Sequence, residues 1–209
     1  MIGFPRKIVL FDFDGVMVDS FEIGYQAAKK VGSPLNREQE KKLFEGNVFE
    51  AVKKLNFKIT PESQEAYFAE YVSGLMKLTP VAGMSETIQE LAKAYQLVVV
   101  TSSISSPIQG YLQMHHLGRY FASIMGSDVH QSKRTKIQMV FKEYQAGPEN
   151  CVFVTDTLGD MKEAAKCKVQ SIGVTWGFHE RERLQKGKFF AVVDKVEDLA
   201  LAVHSFFGA

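Results

Sequence analysis

The chain has 209 residues, 45% hydrophobic and 23% charged, with 25 Lys and Arg against 24 Asp and Glu for a net charge of +1. Its length exceeds the ~100–150 residues typical of one domain and falls short of two, so one domain carrying an insertion is expected; the composition excludes a disordered chain. Balanced charge supplies no global field for nucleic acid or an anionic membrane, so an anionic ligand has to be met locally, by a metal or a few placed cations.

Residues 1–7 lack the long apolar region and small-residue cleavage site of a leader, and the apolar run that follows is broken by Asp12. Neither a signal peptide nor a membrane span is expected. Ile8-Val9-Leu10-Phe11 reads as a strand buried on both faces of a parallel sheet. It runs into Asp12, Phe13, Asp14 and Gly15. Strand alternation sends both carboxylates to one side and Phe13 to the other, and Gly15 permits a sharp exit with the backbone close to a ligand. Two carboxylates this close repel unless they share a proton or a metal, a tension typical of functional sites. The plain alternative is a solvated turn at a strand end.

From Asp19 to Lys77 helical periodicity dominates, and three or four helices are expected. Phe21, Tyr25, Ala28 and Val31 recur at helical spacing up to Gly32, and Val48, Val52 and Leu55 do so later. Ser20, Asn36 and Thr60-Pro61 predict helix starts. Tyr67, Tyr71 and Leu75 stripe the last helix and read as core. Between two of these helices lies the flexible turn Glu45-Gly46-Asn47.

Beyond Pro80 helices alternate with short apolar strands: helix 85–95, strand 97–100, helix 107–117, strand 122–125, helix 134–144, strand 152–154, helix 160–167 and strand 170–174, with 189–193 and 196–207 closing the chain. Such alternation predicts an α/β fold, a parallel sheet covered on both faces with ligands at the carboxyl ends of its strands. No repeat or low-complexity tract interrupts it.

Three further strand ends carry chemistry. Thr101-Ser102-Ser103 offers hydroxyls and turn amides suited to phosphate oxygens, or simply to capping the next helix. Asp156 brings a second acid to the sheet edge that holds Asp12, which suits a hard cation; Asp160 either joins it or caps the following helix. Ser132-Lys133-Arg134-Thr135-Lys136 places cations at a helix opening, where the dipole also favours anions.

Other residues read as structural. Cys151 and Cys167 form neither a disulfide framework nor a zinc spacing, and are expected as free buried thiols of a reducing cytoplasm. His115, His116, His130 and His179 lack metal spacing, Trp176 reads as packing or rim, and Arg181 and Arg183 as a solvated helix start.

Taken in order, Asp12-Phe13-Asp14-Gly15-Val16 with Asp19-Ser20, Thr101, a lysine within 133–136, and Thr155-Asp156-Thr157-Leu158-Gly159-Asp160 resemble the haloacid dehalogenase superfamily, in its branch of phosphatases, phosphoglycolate phosphatases and β-phosphoglucomutase-like proteins. The resemblance implies a Rossmann-like core over 1–18 and 79–209, with a small helical cap over 19–78 inserted after the first strand. It further implies Asp12 as a nucleophile that becomes phosphorylated, Asp14 as general acid and base, and Thr101 with a lysine stabilising the transferring phosphoryl group. Lys133 is the first choice for that lysine; Lys136, one turn inside the helix, stays open because the family's Lys-Pro pair is absent. Mg²⁺ would be held by Asp12, the Asp14 main-chain carbonyl and Asp156, with Asp160 bound directly or through water. Gly15, Ser102, Ser103, Gly46, Asn47 and Lys136 are the implied substrate-binding positions.

A Mg²⁺-dependent phosphatase of a small phosphorylated metabolite follows, with a phosphomutase or a non-catalytic relative as alternatives. Asp14 argues against dehalogenation and phosphonate cleavage, whose branches lack a carboxylate there. No nucleic-acid or membrane partner is implied, and the motifs specify neither the substrate nor the assembly state.

Overall fold

A computed structural model of the chain describes residues 7–55 and 59–208. The reading that residues 1–7 carry no leader therefore falls, apart from Lys7, outside the described residues, as do 56–58 of the expected helical insertion.

Six strands form one parallel sheet in the order β3-β2-β1-β4-β5-β6: β1 (Ile8–Phe11), β2 (Gln96–Val100), β3 (Phe121–Met125), β4 (Cys151–Thr155), β5 (Gln170–Val174) and β6 (Ala191–Val193). Alternate residues face opposite layers, as the pleat requires. Val9, Phe11, Val99 and Val154 join the core that includes Ile88 of α5 (Met84–Leu91), Ile108 of α6 (Ser105–Met114) and Leu199 of α10 (Glu197–Phe207). Ile8, Leu10, Val98 and Phe153 pack with Ile137 of α7 (Lys133–Tyr144) and Ala164 of α8 (Leu158–Lys166). Cys151 and Cys167 are free and buried. Strand order reverses at β1, so the crevice at a topological switch point lies beyond the ends of β1 and β4, where Asp12 and Asp156 stand.

Between β1 and β2 the chain forms α1 (Phe21–Lys30), α2 (Arg37–Leu43), α3 (Val48–Lys53) and α4 (Pro61–Leu75). Asn36 and Gln39 make a reciprocal capping box, and Thr60 and Ser63 make another, with Pro61 opening α4. Ser20 also precedes a helix but makes no side-chain cap bond; its hydroxyl is used elsewhere. Among the described residues no helix is long and apolar enough to cross a membrane.

Several boundaries differ from expectation for local reasons. The helix expected to Tyr95 stops at Leu91, because Gln96 is already extended and donates to Lys7 O at 3.0 Å. α6 begins at Ser105, whose amide and hydroxyl are both held by Asp128, and ends before His116, which takes a left-handed φ of 59°. Leu55 lies beyond the end of α3, and β6 begins at Ala191 rather than at 189.

Candidate active site

Asp12 continues the sheet for one residue, its amide donating to Val154 O at 2.9 Å. Its Oδ1 accepts from the Phe13 amide at 2.8 Å, and its Oδ2 lies 2.7 Å from Lys133 Nζ. Phe13 points away and packs edge-on against Tyr111. Gly15 has φ +73°, and a Cβ there would stand 2.0 Å from Asp156 Oδ2, so only glycine fits.

Asp14 faces the same cavity as Asp12 but has its own partners. Ser20 Oγ and Ser103 Oγ each donate to it at 2.6 Å, and the Tyr71 hydroxyl donates to it as well. The core reading of the α4 stripe thus holds for Leu75, while Tyr71 is both core and site.

Thr157, not Asp160, caps α8; the Asp160 amide donates to its hydroxyl. Asp160 sits in the first turn, where its Oδ2 accepts from Lys133 Nζ at 2.6 Å and from Thr155 Oγ1 at 2.8 Å. Asp156 Oδ2 accepts from the Phe178 amide at 2.7 Å. Its Oδ1 is buried and has no hydrogen-bond partner among the described residues.

Electrostatics follow from this crowding. Burial drives the Asp12 carboxyl well above the usual range, with Asp160 and Asp156 adding to the rise and Lys133 opposing it. Burial likewise pushes Asp156 up to about 7 against the Phe178 amide. For Asp160, burial is outweighed by Lys133 and the hydrogen bonds, so its carboxyl is held low. Lys133 in turn is raised, burial losing to Asp12 and Asp160.

The two candidate lysines separate. Lys133 sits between Asp12 and Asp160. Lys136 is fully buried and turns to main-chain carbonyls, donating to Thr101 O and, at 3.4 Å, to Gly126 O; burial lowers it to about 8. The Thr101 hydroxyl accepts the Ser103 amide at 3.1 Å, and Ser102 lines the cavity.

The turn between α2 and α3 docks on the start of α8. Gly159 N donates to Phe44 O at 2.8 Å, and a Cβ on Gly159 would stand 2.2 Å from Gly46 O. Asn47 caps α3 and donates through Nδ2 to Gln131 O and Glu163 Oε2, each at 3.2 Å. Gly46 and Asn47 thus lie against the core beside the site.

Residues 9–174 match the family model of haloacid dehalogenase-like hydrolases. The chain belongs to this family. A phosphoglycolate phosphatase of Vibrio parahaemolyticus is 23% identical, over 92% of this chain and 94% of its own. Two solved structures share the fold: a hydrolase from Pseudomonas syringae (TM-score 0.80, 18% identity, 96% of this chain and 99% of that one) and a haloacid dehalogenase-like protein from Streptococcus pneumoniae (TM-score 0.79, 22% identity, 94% and 98%).

Arg183, in α9 (Arg181–Leu184) of this haloacid dehalogenase-like hydrolase, corrects the expectation of a solvated helix start. It is buried, 2.6 Å from Glu38 in α2, 3.4 Å from Glu45 and 3.2 Å from Glu180. Beside it, His179 accepts the Leu158 amide on Nδ1 and donates from Nε2 to Lys41 O at 2.9 Å. Arg181, more exposed, pairs with Asp194 at 2.7 Å, and Trp176 Nε1 donates to Val16 O at 3.1 Å. No local signal marked Arg183 or Tyr71, because their partners lie far away in the chain.

The hydrolase's acids suit a hard cation in donor type, and the unpartnered Asp156 Oδ1 is the observation that fits one. Among the described residues no group of three or more His, Cys, Asp or Glu side chains is set to hold a metal as it stands, and Lys133 lies between Asp12 and Asp160.

Proposed function

We propose that this hydrolase is a Mg²⁺-dependent phosphomonoesterase that acts on a small phosphorylated metabolite through an aspartyl-phosphate on Asp12. The observation that carries the reading is the pairing of Asp12 with Lys133 on the floor of a cavity that Asp14 also faces. The phosphatase names of its relatives point to the same reaction.

Asp12 supplies the carboxylate oxygen that forms a bond to phosphorus as the ester P–O bond breaks. Asp14, protonated, donates to the departing oxygen; as carboxylate it then takes a proton from water, which attacks phosphorus and releases phosphate and Asp12. The hydroxyls of Ser20, Ser103 and Tyr71 aim Asp14 at the cavity. Lys133 shares its charge between Asp12 and the phosphoryl oxygens, and Thr101 holds the turn carrying Ser103. Asp12, the Asp14 main-chain carbonyl and Asp156 would hold Mg²⁺, with Asp160 alongside; the ion supplies the charge neutralisation that lets a carboxylate approach a phosphate dianion. In this reading residues 19–78 are a cap on a core of 1–18 and 79–209.

Phosphate release from a panel of sugar phosphates, phosphoglycolate, nucleotides and an aryl phosphate tests it, with Mg²⁺ or EDTA, for wild type and Asp12→Asn. Metal-dependent release lost in the variant is expected. No release from any ester by folded protein overturns the reading.

A further inference from the structure

The cavity above Asp12 and Asp14 has a volume of 510 Å³, within the ~300–1,000 Å³ that receives whole organic ligands. Helices α1 to α4 all contribute to its wall. Tyr25, Leu43, Phe49, Val52, Tyr67 and Phe68 make that wall apolar and aromatic well beyond the reacting end. Among the described residues two lysines line it: Lys133, engaged at the floor, and Lys53, exposed at the last residue of α3. Against these aliphatic and aromatic side chains a carboxylate or a polyhydroxylated sugar surrenders water without a partner in exchange, whereas an apolar ring gains from burial.

Ser33, Lys53, Ser63 and Gln64 also bring polar groups to this wall, and Glu40 is distinguished among them. Glu40 of α2 lines the cavity, and its Oε2 is buried without a hydrogen-bond partner among the described residues. Burial raises this carboxyl, with Lys29 opposing. A buried acceptor left unpaired is costly, so it marks where a ligand donor belongs.

We propose that the substrate is the phosphomonoester of an apolar, ring-sized alcohol that carries a hydroxyl or amino donor at the end remote from phosphate, received by Glu40. The inference rests on the phosphatase reading of the same site and specifies its substrate class. Tyr67 and Phe68 contact the ring, and Lys133 meets the phosphate.

The test compares alkyl esters of similar leaving-group basicity: cyclohexylmethyl phosphate, 4-(aminomethyl)cyclohexylmethyl phosphate, phosphoglycolate and glucose 6-phosphate. With Mg²⁺ present, kcat/KM for the ring esters is expected to exceed the other two by about tenfold or more. The amino-bearing ester should lead, and Glu40→Gln should remove that lead. Val52→Trp, which fills the wall, should lower kcat/KM for the ring esters about tenfold more than for phosphoglycolate. Calorimetric binding of the same four esters to Asp12→Asn protein reads the cavity without turnover and should rank them alike. Equal or weaker binding of the ring esters overturns the substrate class even if phosphate is released. Tight ring-ester binding without release by wild type overturns the phosphatase reading and leaves the cavity assignment standing.

Discussion

Lys133 Nζ lies 2.7 Å from Asp12 Oδ2, with the two side chains 3% and 6% exposed. Asp160 completes the cluster at 2.6 Å from the same ammonium. Removing the cation would strand two buried carboxylates, and breaking a buried pair from one side costs about 3–5 kcal/mol. Lys133→Met is therefore expected to lower denaturant stability by that order and kcat by about 10²–10³-fold. Near-wild-type values in both measurements would remove Lys133 from its assigned place.

Asp12→Asn keeps the shape of the side chain and removes the proposed nucleophile. Turnover is expected to fall by at least about 10³-fold while the circular dichroism spectrum stays native. Asp14→Asn should lose about 10²–10⁴-fold in kcat. A variant that changed only metal affinity would disprove the acid and base role of Asp14.

Tyr71 reaches Asp14 from α4. Losing a hydroxyl that donates to a carboxylate removes about 1.5–3 kcal/mol of favourable interaction at most. Tyr71→Phe is expected to lower kcat several-fold with KM little changed, because Asp14 loses one of the three hydroxyls that hold it. An unchanged kcat would make Tyr71 structural only.

A Cβ at position 159 would stand 2.2 Å from Gly46 O and 2.6 Å from Phe44 O, both main-chain atoms. Gly159→Ala should therefore push the α2–α3 turn off the core. Faster amide exchange at residues 44–47 and a raised KM are the expected readouts; unchanged exchange would show that the contact is dispensable.

Arg183 joins Glu38 and Glu45 of the helical insertion to Glu180 of the core. Its acidic partners are 39–56% exposed, so solvent screening limits the network to about 1 kcal/mol. Arg183→Ala should lower the melting temperature by about 2–4 °C. A larger kinetic than thermal effect would mean that the contact governs access to the cavity rather than stability.

Most of the sheet was legible because strands such as β2 are short runs of β-branched and apolar residues, as in Leu97-Val98-Val99-Val100. Helix starts at Asn36 and Thr60 were legible because capping uses neighbours three residues away. Ser20 precedes its helix as read, yet its hydroxyl serves Asp14 instead of a cap. Asp160 read as either cap or acid because both roles lie at the same turn of chain, and the Thr157 hydroxyl took the cap.

Asp12, Asp14 and Asp156 are consequences of the sequence by itself: a strand's period and a parallel sheet's polarity bring acids that follow buried strands to one edge. The separation of Lys133 from Lys136 belongs to the tertiary structure. Three residues apart on one helix, they share a face, and only the positions of β1, β2 and α8 decide that one meets carboxylates and the other carbonyls. Tyr71 on Asp14 and Arg183 on Glu38 likewise join residues 57 and 145 positions apart. Local pattern constrains backbone and burial, which depend on near neighbours; a side chain's partner depends on where distant elements pack, and that is settled only when the whole chain has folded.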